Sequence, residues 1–219
     1  MHPIGLRGDP IFPRDLPRFG RSMLKKSLRT EILRRRKEYN KGKEDSALIA
    51  EKFLSLPEVK KAKSILLYFP HKNEVDTTFI IEELLKEGKD VVLPKVVGFH
   101  IYPIKISNLA SLKSGYAGIK EPEGEKYPLE NIDIIVVPAI AFDIHGHRLG
   151  YGKGYYDRLL SKVNALKIGL AYNFQVLEKL PSEPHDIPVD LIVTPTKIIK
   201  TSAEVTEKPK KEEVKRWLK

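Results

Sequence analysis

The succession of apolar runs along this chain predicts an α/β fold: three layers, α/β/α, around a mostly parallel central sheet. Three observations lead there. The runs Ser64–Phe69 (SILLYF), Asp133–Pro138 (DIIVVP) and Leu191–Thr194 (LIVT) are short and unbroken rather than alternating, the pattern of strands covered on both faces. Stretches with helical spacing separate them, and a β–α–β succession pairs its strands in parallel. A glycine-rich loop follows one strand and leads into a helix, the usual place for a binding loop in an open α/β sheet.

The elements follow in order. Residues 1–21 (MHPIGLRGDPIFPRDLPRFGR) are rich in Pro, Gly and Arg without sustained periodicity, so an irregular arm is expected. Ser22 opens a helix to about Tyr39, with Leu24, Leu28 and Ile32 four apart and Lys25, Arg29 and Arg36 on a neighbouring face. A second helix runs from Asp45 to Leu56 and is stopped by Pro57. After SILLYF, Asp76 and Thr77 cap a helix through Lys86, with Gly88 as its stop. Asp90–Val96 is a strand whose pairing Pro94 should interrupt near its end, and Phe99–Ile104 alternates as a further strand. DIIVVP is the clearest buried strand. Beyond the glycine-rich loop a helix spans Tyr155 to about Val163, and Leu166–Tyr172 and LIVT complete the sheet. There is no internal repeat. Residues 200–219 read as a Lys/Glu tail, which leaves 22–199 as a single domain.

Composition narrows the function classes. The chain has 219 residues, 41% hydrophobic and 31% charged, enough for one ordinary core. It has no cysteine, which excludes disulfides, thiolate catalysis and cysteine-ligated metals and fits a reducing cytoplasm. The longest apolar stretch, Ile132–Phe142, is broken by Asp133 and Pro138 and is too short to span a bilayer. The first twenty residues lack the apolar middle of a secretory signal, so a soluble cytoplasmic protein is expected. The net charge of +10 is uneven. Residues 1–43 hold thirteen Lys/Arg against four Asp/Glu, residues 197–219 eight against four, and the middle eighteen against twenty-one. A basic surface helix and a charged tail account for this better than a nucleic-acid footprint.

The stretch Asp133–Arg158, DIIVVPAIAFDIHGHRLGYGKGYYDR, carries the chemistry. Its loop holds Gly146, Gly150, Gly152 and Gly154, with Arg148 and Lys153 between them. Glycines let backbone amides approach an anion closely, two cations neutralise it, and a helix N-terminus supplies further donors. The loop is neither a Walker A motif nor GxGxxG. His145 and His147 flank Gly146 with no third ligand nearby, a poor case for zinc, and are read as loop residues.

The string PAIAFDIHGHRLGYGKGYYDR resembles the signature of the 5-formyltetrahydrofolate cyclo-ligase family, approximately P-x-x-[AG]-F-D-x-x-G-x-R-L-G-x-G-x-G-Y-Y-D. The resemblance covers roughly residues 22–199. It implies a sheet like that of the NagB/RpiA/CoA-transferase-like fold, and ATP- and magnesium-dependent closure of 5-formyltetrahydrofolate to 5,10-methenyltetrahydrofolate. It implies ATP-phosphate contacts from the segment containing Lys25, Lys26 and Arg29, and a main ATP-binding element comprising Gly146, Arg148, Leu149, Gly150, Tyr151, Gly152, Lys153, Gly154, Tyr155 and Tyr156. Arg148 and Lys153 would stabilise transferring charge. Glu74 would hydrogen-bond the pterin, with Phe69, Tyr151 and Tyr155 as further substrate contacts. Asp157 and Asp186 would serve Mg2+, with Asp190 as the alternative to Asp186. Each has a plainer reading: Lys25 and Arg29 as solvated cations, Glu74 and Asp157 as helix-start acids, Phe69, Tyr155 and Tyr156 as packing. The competing functions are a sugar-phosphate isomerase or CoA-transferase relative, and a non-catalytic folate- or RNA-binding protein. A monomer that binds small molecules, without nucleic acid or membrane, is expected.

Overall fold

Strands that are apolar on both faces need cover on both sides of their sheet, and the chain supplies it. The computed structural model describes residues 18–201; residues 1–17 of the expected arm and 202–219 of the tail lie outside the described residues. The chain opens with helices α1 (Arg18–Glu38), α2 (Gly42–Ser55) and α3 (Pro57–Lys61). It continues through β1 (Ser64–Leu66), α4 (Thr78–Lys86), β2 (Asp90–Val97) and β3 (His100–Ile106). A small hairpin follows, β4 (Lys113–Ser114) and β5 (Lys120–Glu121), and then β6 (Ile134–Val137). The glycine-rich stretch holds β7 (Ala141–Asp143), β8 (Arg148–Leu149) and α5 (Tyr155–Leu160). The last elements are β9 (Leu166–Leu170), β10 (Val176–Leu177), β11 (Leu191–Val193) and β12 (Ile198–Lys200).

Seven strands form the central sheet in the order β12-β11-β9-β6-β1-β2-β3. The five inner strands pair in parallel, and β3 and β12 add one antiparallel edge each. Side-chain alternation divides the core. Ile65, Val91, Ile134, Val136, Ile168 and Val193 face Ile49, Phe53, Ile80 and Leu84 of α2 and α4. Leu66, Val92, Ile135, Val137 and Ile192 face Phe142 of β7 and Leu159 and Leu160 of α5. On that second side Gly169 is obligatory in β9, because a Cβ there would come within 2.5 Å of the Phe142 ring. Helix α1 packs through Ile32 on Ile140, Ala141, Leu149 and Leu180, beside the small sheet β10-β7-β8.

Several boundaries differ from those expected. Helix α1 begins at Arg18, four residues into the expected arm, because nothing after Pro17 bars a helix. Pro57 ends α2 but also opens α3 from the N1 position. Asp76 accepts the Thr78 amide at 2.9 Å at the start of α4, whereas the Thr77 hydroxyl turns away to the Tyr68 carbonyl. Pairing is not lost at Pro94: it faces Pro103 in the β2–β3 register, which fits a ladder position where the opposed pair exchanges no hydrogen bonds. Helix α5 ends at Leu160, short of Val163. Strand β12 turns what was expected to be the approach to a charged tail into the sheet edge, through a turn in which the Thr194 hydroxyl accepts the Lys197 amide.

Chain order also sets the location of the site. From β1 the chain moves outward to β2 on one side and returns through β6 to β9 and β11 on the other. Such a reversal leaves a crevice at the carboxyl ends of the two strands. Tyr68 and Phe69 follow β1, Pro138 follows β6, and all three line one cavity of about 610 Å³.

Candidate active site

The cavity wall is built from segments far apart in the chain. Helix α1 contributes Lys25, Arg29, Leu33 and Arg36; the turn after β1 contributes His71, Lys72 and Glu74; the loop from Arg148 to Asp157 contributes a continuous stretch. The glycine-rich segment is not one loop. Gly146 lies in a tight β7–β8 turn at φ +88°, where a Cβ would meet the Val189 carbonyl at 2.3 Å. Buried Asp143 ties that turn together, accepting the amides of His145 and His147 at 3.0 Å and of Leu180 at 2.9 Å. The His147 ring bonds the same carboxylate at 3.1 Å, which together with burial's opposing effect leaves its pKa above the ordinary value. The part that lines the cavity starts at Arg148, with Gly152 and Gly154 at positive φ.

Cations crowd one end. The Arg29 guanidinium donates to the Gly150 carbonyl at 2.7 Å, fixing α1 against the loop. Arg148, with 8% of its side chain exposed, donates to Asp157 at 2.7 Å, and its Nε is buried without an acceptor. Lys153 donates to the Tyr116 hydroxyl and lies over that ring, and Tyr116 meets Tyr155 edge-on at 6.1 Å. Helix α5 has only six residues, so it offers little dipole and the expected anion-binding contribution of its N-terminus falls to these side chains.

The other end is aromatic and acidic. Glu74 accepts the His71 amide at 2.8 Å and the Tyr151 hydroxyl at 3.3 Å. Burial pushes its carboxyl upward, opposed by the His71 amide, Arg36 and Tyr151. Tyr151 is half exposed, yet its hydroxyl sits over buried groups and burial pushes it up to about 12, so it stays a donor. Arg36 donates to that hydroxyl at 2.9 Å.

Phe69, Glu74, Lys25, Arg29, Asp157, Asp186 and every residue from Arg148 to Tyr156 therefore share one cavity. Lys26 is exposed on α1 and, like Gly146, is not among the lining residues. Tyr155 and Tyr156 both line the cavity and pack on the core beneath it. Asp190 is elsewhere, accepting the Lys167 amide at 2.9 Å between β9 and β11, whereas Asp186 sits at the cavity wall and accepts the Glu183 amide at 2.8 Å. Among the described residues no three His, Cys, Asp or Glu side chains converge as a metal cage. Magnesium is commonly held by one or two carboxylates plus substrate phosphates; Asp157, paired with Arg148, and Asp186 are carboxylates on the cavity wall. Arg36, Tyr68, Tyr116 and Glu121 also line the cavity and were not expected there. Of these only Arg36 carried a signal, being eleven residues from Lys25 and seven from Arg29 on the same helical stripe.

Residues 21–195 match the profile of the 5-formyltetrahydrofolate cyclo-ligase family. The chain belongs to that family. A solved structure of 5,10-methenyltetrahydrofolate synthetase from Aquifex aeolicus is 46% identical, with a TM-score of 0.75 over 82% of this chain and 94% of that one. The 5-formyltetrahydrofolate cyclo-ligase of Escherichia coli strain K12 is 34% identical over 68% of this chain and 87% of its own. That of Haemophilus influenzae is 33% identical over 77% and 97%. These cyclo-ligase relatives support a catalytic protein over a folate- or RNA-binding one, and the family's ligase activity over isomerase or transferase chemistry. No helix among the described residues is long and apolar enough to cross a membrane.

Proposed function

We propose that this cavity closes 5-formyltetrahydrofolate to 5,10-methenyltetrahydrofolate, with ATP converted to ADP and phosphate. The observation that carries the reading is a single cavity with a cationic end, built on the family's signature residues, and an acidic aromatic end at Glu74. The formyl group on N5 is amide-like, and its oxygen is a poor leaving group. Transfer of the γ-phosphoryl group to that oxygen gives an N5-iminium phosphate and ADP. The N10 lone pair attacks the activated carbon, N10 gives up its proton, and phosphate leaves with the C–O bonding electrons. The methenyl bridge remains.

The protein's tasks are positioning and charge stabilisation rather than covalent catalysis. Lys25, Arg29, Arg148 and Lys153 hold the phosphates, and Arg148 and Lys153 offset charge as it moves during transfer. Asp157 and Asp186 would hold Mg2+ together with those phosphates. When bound, it would supply further neutralisation of the phosphate oxygens. Glu74 accepts the pterin N–H donors while Phe69, Tyr151 and Tyr155 flank the ring. Residues 22–199 form the catalytic unit and, among the described residues, supply the cavity wall from one chain, which supports a monomer. The absence of cysteine supports a cytoplasmic location.

The test is to mix the protein with 5-formyltetrahydrofolate, ATP and magnesium and follow methenyltetrahydrofolate by absorbance. Turnover should require ATP and fall by roughly 10²–10³ in Lys153→Ala, the usual cost of losing one charge-stabilising donor. No turnover with folate still bound would return the protein to the binding class.

A further inference from the structure

Helix α1 carries Lys25, Arg29 and Arg36 on one stripe, but the third is placed differently from the other two. Lys25 and Arg29 are partly open to solvent, whereas Arg36 is 4% exposed. Removing a guanidinium from water is costly unless it is paired, and an unpaired nitrogen on a buried cation is uncommon. Arg36 has one: Nη1 is buried without an acceptor, while Nη2 donates to the Tyr151 hydroxyl at 2.9 Å. The Tyr151 ring also lies over the guanidinium, 5.8 Å from its carbon to the ring centroid. Tyr151 then donates to Glu74 at 3.3 Å, and the opposite carboxylate oxygen is held by the His71 amide. The contacts of Arg36 thus lead to the acidic end of the cavity, not to the cationic one that Arg29 shares with Gly150.

We propose that Arg36 is a positioning residue for the folate end of the cavity: it fixes the Tyr151 hydroxyl and, through it, the Glu74 carboxylate that meets the pterin. This rests on the assignment of Glu74 to the pterin made above. The other groups around Glu74 are neutral or weak partners. Tyr68 and Tyr156 sense its charge from beneath, Tyr172 touches its backbone carbonyl at 3.5 Å, and His71 lies on its own turn. Arg36 is the cation whose charge acts on it among the described residues. Through the Tyr151 hydroxyl, Arg36 fastens one carboxylate oxygen from a second element, so Glu74 presents one orientation to the ring.

The experiment measures KM and kcat for each substrate from pH 5 to 8 in the wild type and in Arg36→Met, Arg36→Lys, Tyr151→Phe and Glu74→Gln. Arg36→Met should raise the folate KM about tenfold or more, the effect of losing a charge-assisted hydrogen bond, and leave the ATP KM within about twofold. The acid limb of kcat/KM for folate should move to higher pH, because a less neutralised carboxyl keeps its proton longer. Arg36→Lys should restore part of both effects. Tyr151→Phe, which keeps the ring and removes the relay, should reproduce their direction should Arg36→Met fail to fold. An unmoved folate KM and acid limb in both Arg36→Met and Tyr151→Phe would overturn the proposal, as would an ATP KM rising by the same factor. If Glu74→Gln binds folate as the wild type does, the pterin assignment itself fails and takes the proposal with it. A defective Glu74→Gln beside normal Arg36→Met and Tyr151→Phe removes the proposal alone.

Discussion

Glu74 is held partly buried, with one oxygen on a backbone amide and the other on a tyrosine, and burial still pushes its carboxyl above the ordinary value. A carboxyl whose pKa is higher in the folded than in the unfolded chain weakens the fold once the pH exceeds the unfolded value, because the folded state gives up its proton less readily. Glu74→Gln should therefore raise the melting temperature at pH 7 while weakening folate binding, which melts recorded with and without folate would check. His147 is the opposite case in sign of charge. Its ring is raised by Asp143, so its contribution is complete below its ordinary value of 6.5 and is lost as pH rises through the folded value. Stability should fall from about pH 6.5 upward in the wild type and less so in His147→Gln; parallel slopes in denaturant titrations would contradict this. At this scale the sequence exposed the loop cations and α1's Lys25 and Arg29, because residue type and spacing mark them. It did not expose the burial of Arg36, which depends on where the Tyr151 ring comes to rest. Tyr116 and Glu121 were equally hidden, since a three-residue turn and a two-residue strand have no periodicity to read.

The elements that sequence marked best are those with long unbroken apolar runs. DIIVVP became β6 within a residue at either end, and the parallel order followed from the helices between strands. What escaped was short or context-made. Strands β7, β8 and β10 are two or three residues each, and β10 is defined by a partner, β7, far back along the chain. The contact of Phe142 with Gly169 shows the same dependence, since neither residue announces its neighbour. Because Phe142 is fully buried and fills the space over Gly169, Gly169→Ala should destabilise the protein by ~1–3 kcal/mol, the usual cost of overpacking. Phe142→Ala should cost ~3–5 kcal/mol by leaving a cavity. If the Gly169→Ala loss vanished in a Phe142→Leu background, the clash would be established as its cause; an unchanged loss would place it in the backbone.

For the whole molecule, a cavity walled by segments far apart in the chain couples ligand binding to folding. ATP or folate at a hundred times its Kd adds ~2.7 kcal/mol to the folded state. At ~2–4 °C per kcal/mol for a chain of this size, the melting temperature should rise by roughly 5–11 °C. Lys153→Ala should remove most of the rise with ATP and keep the rise with folate; loss of both would mean that the two ends of the cavity are not separable. Arg29 and Arg36 are seven residues apart, about 10 Å of helix at ~1.5 Å per residue. One is fastened to the Gly150 carbonyl and the other to Tyr151, so the helix acts as a ruler laid along the loop. A ruler tolerates repainting but not a changed scale. One residue inserted between those marks would swing one arginine by about 100° out of register, and no substitution elsewhere could turn it back.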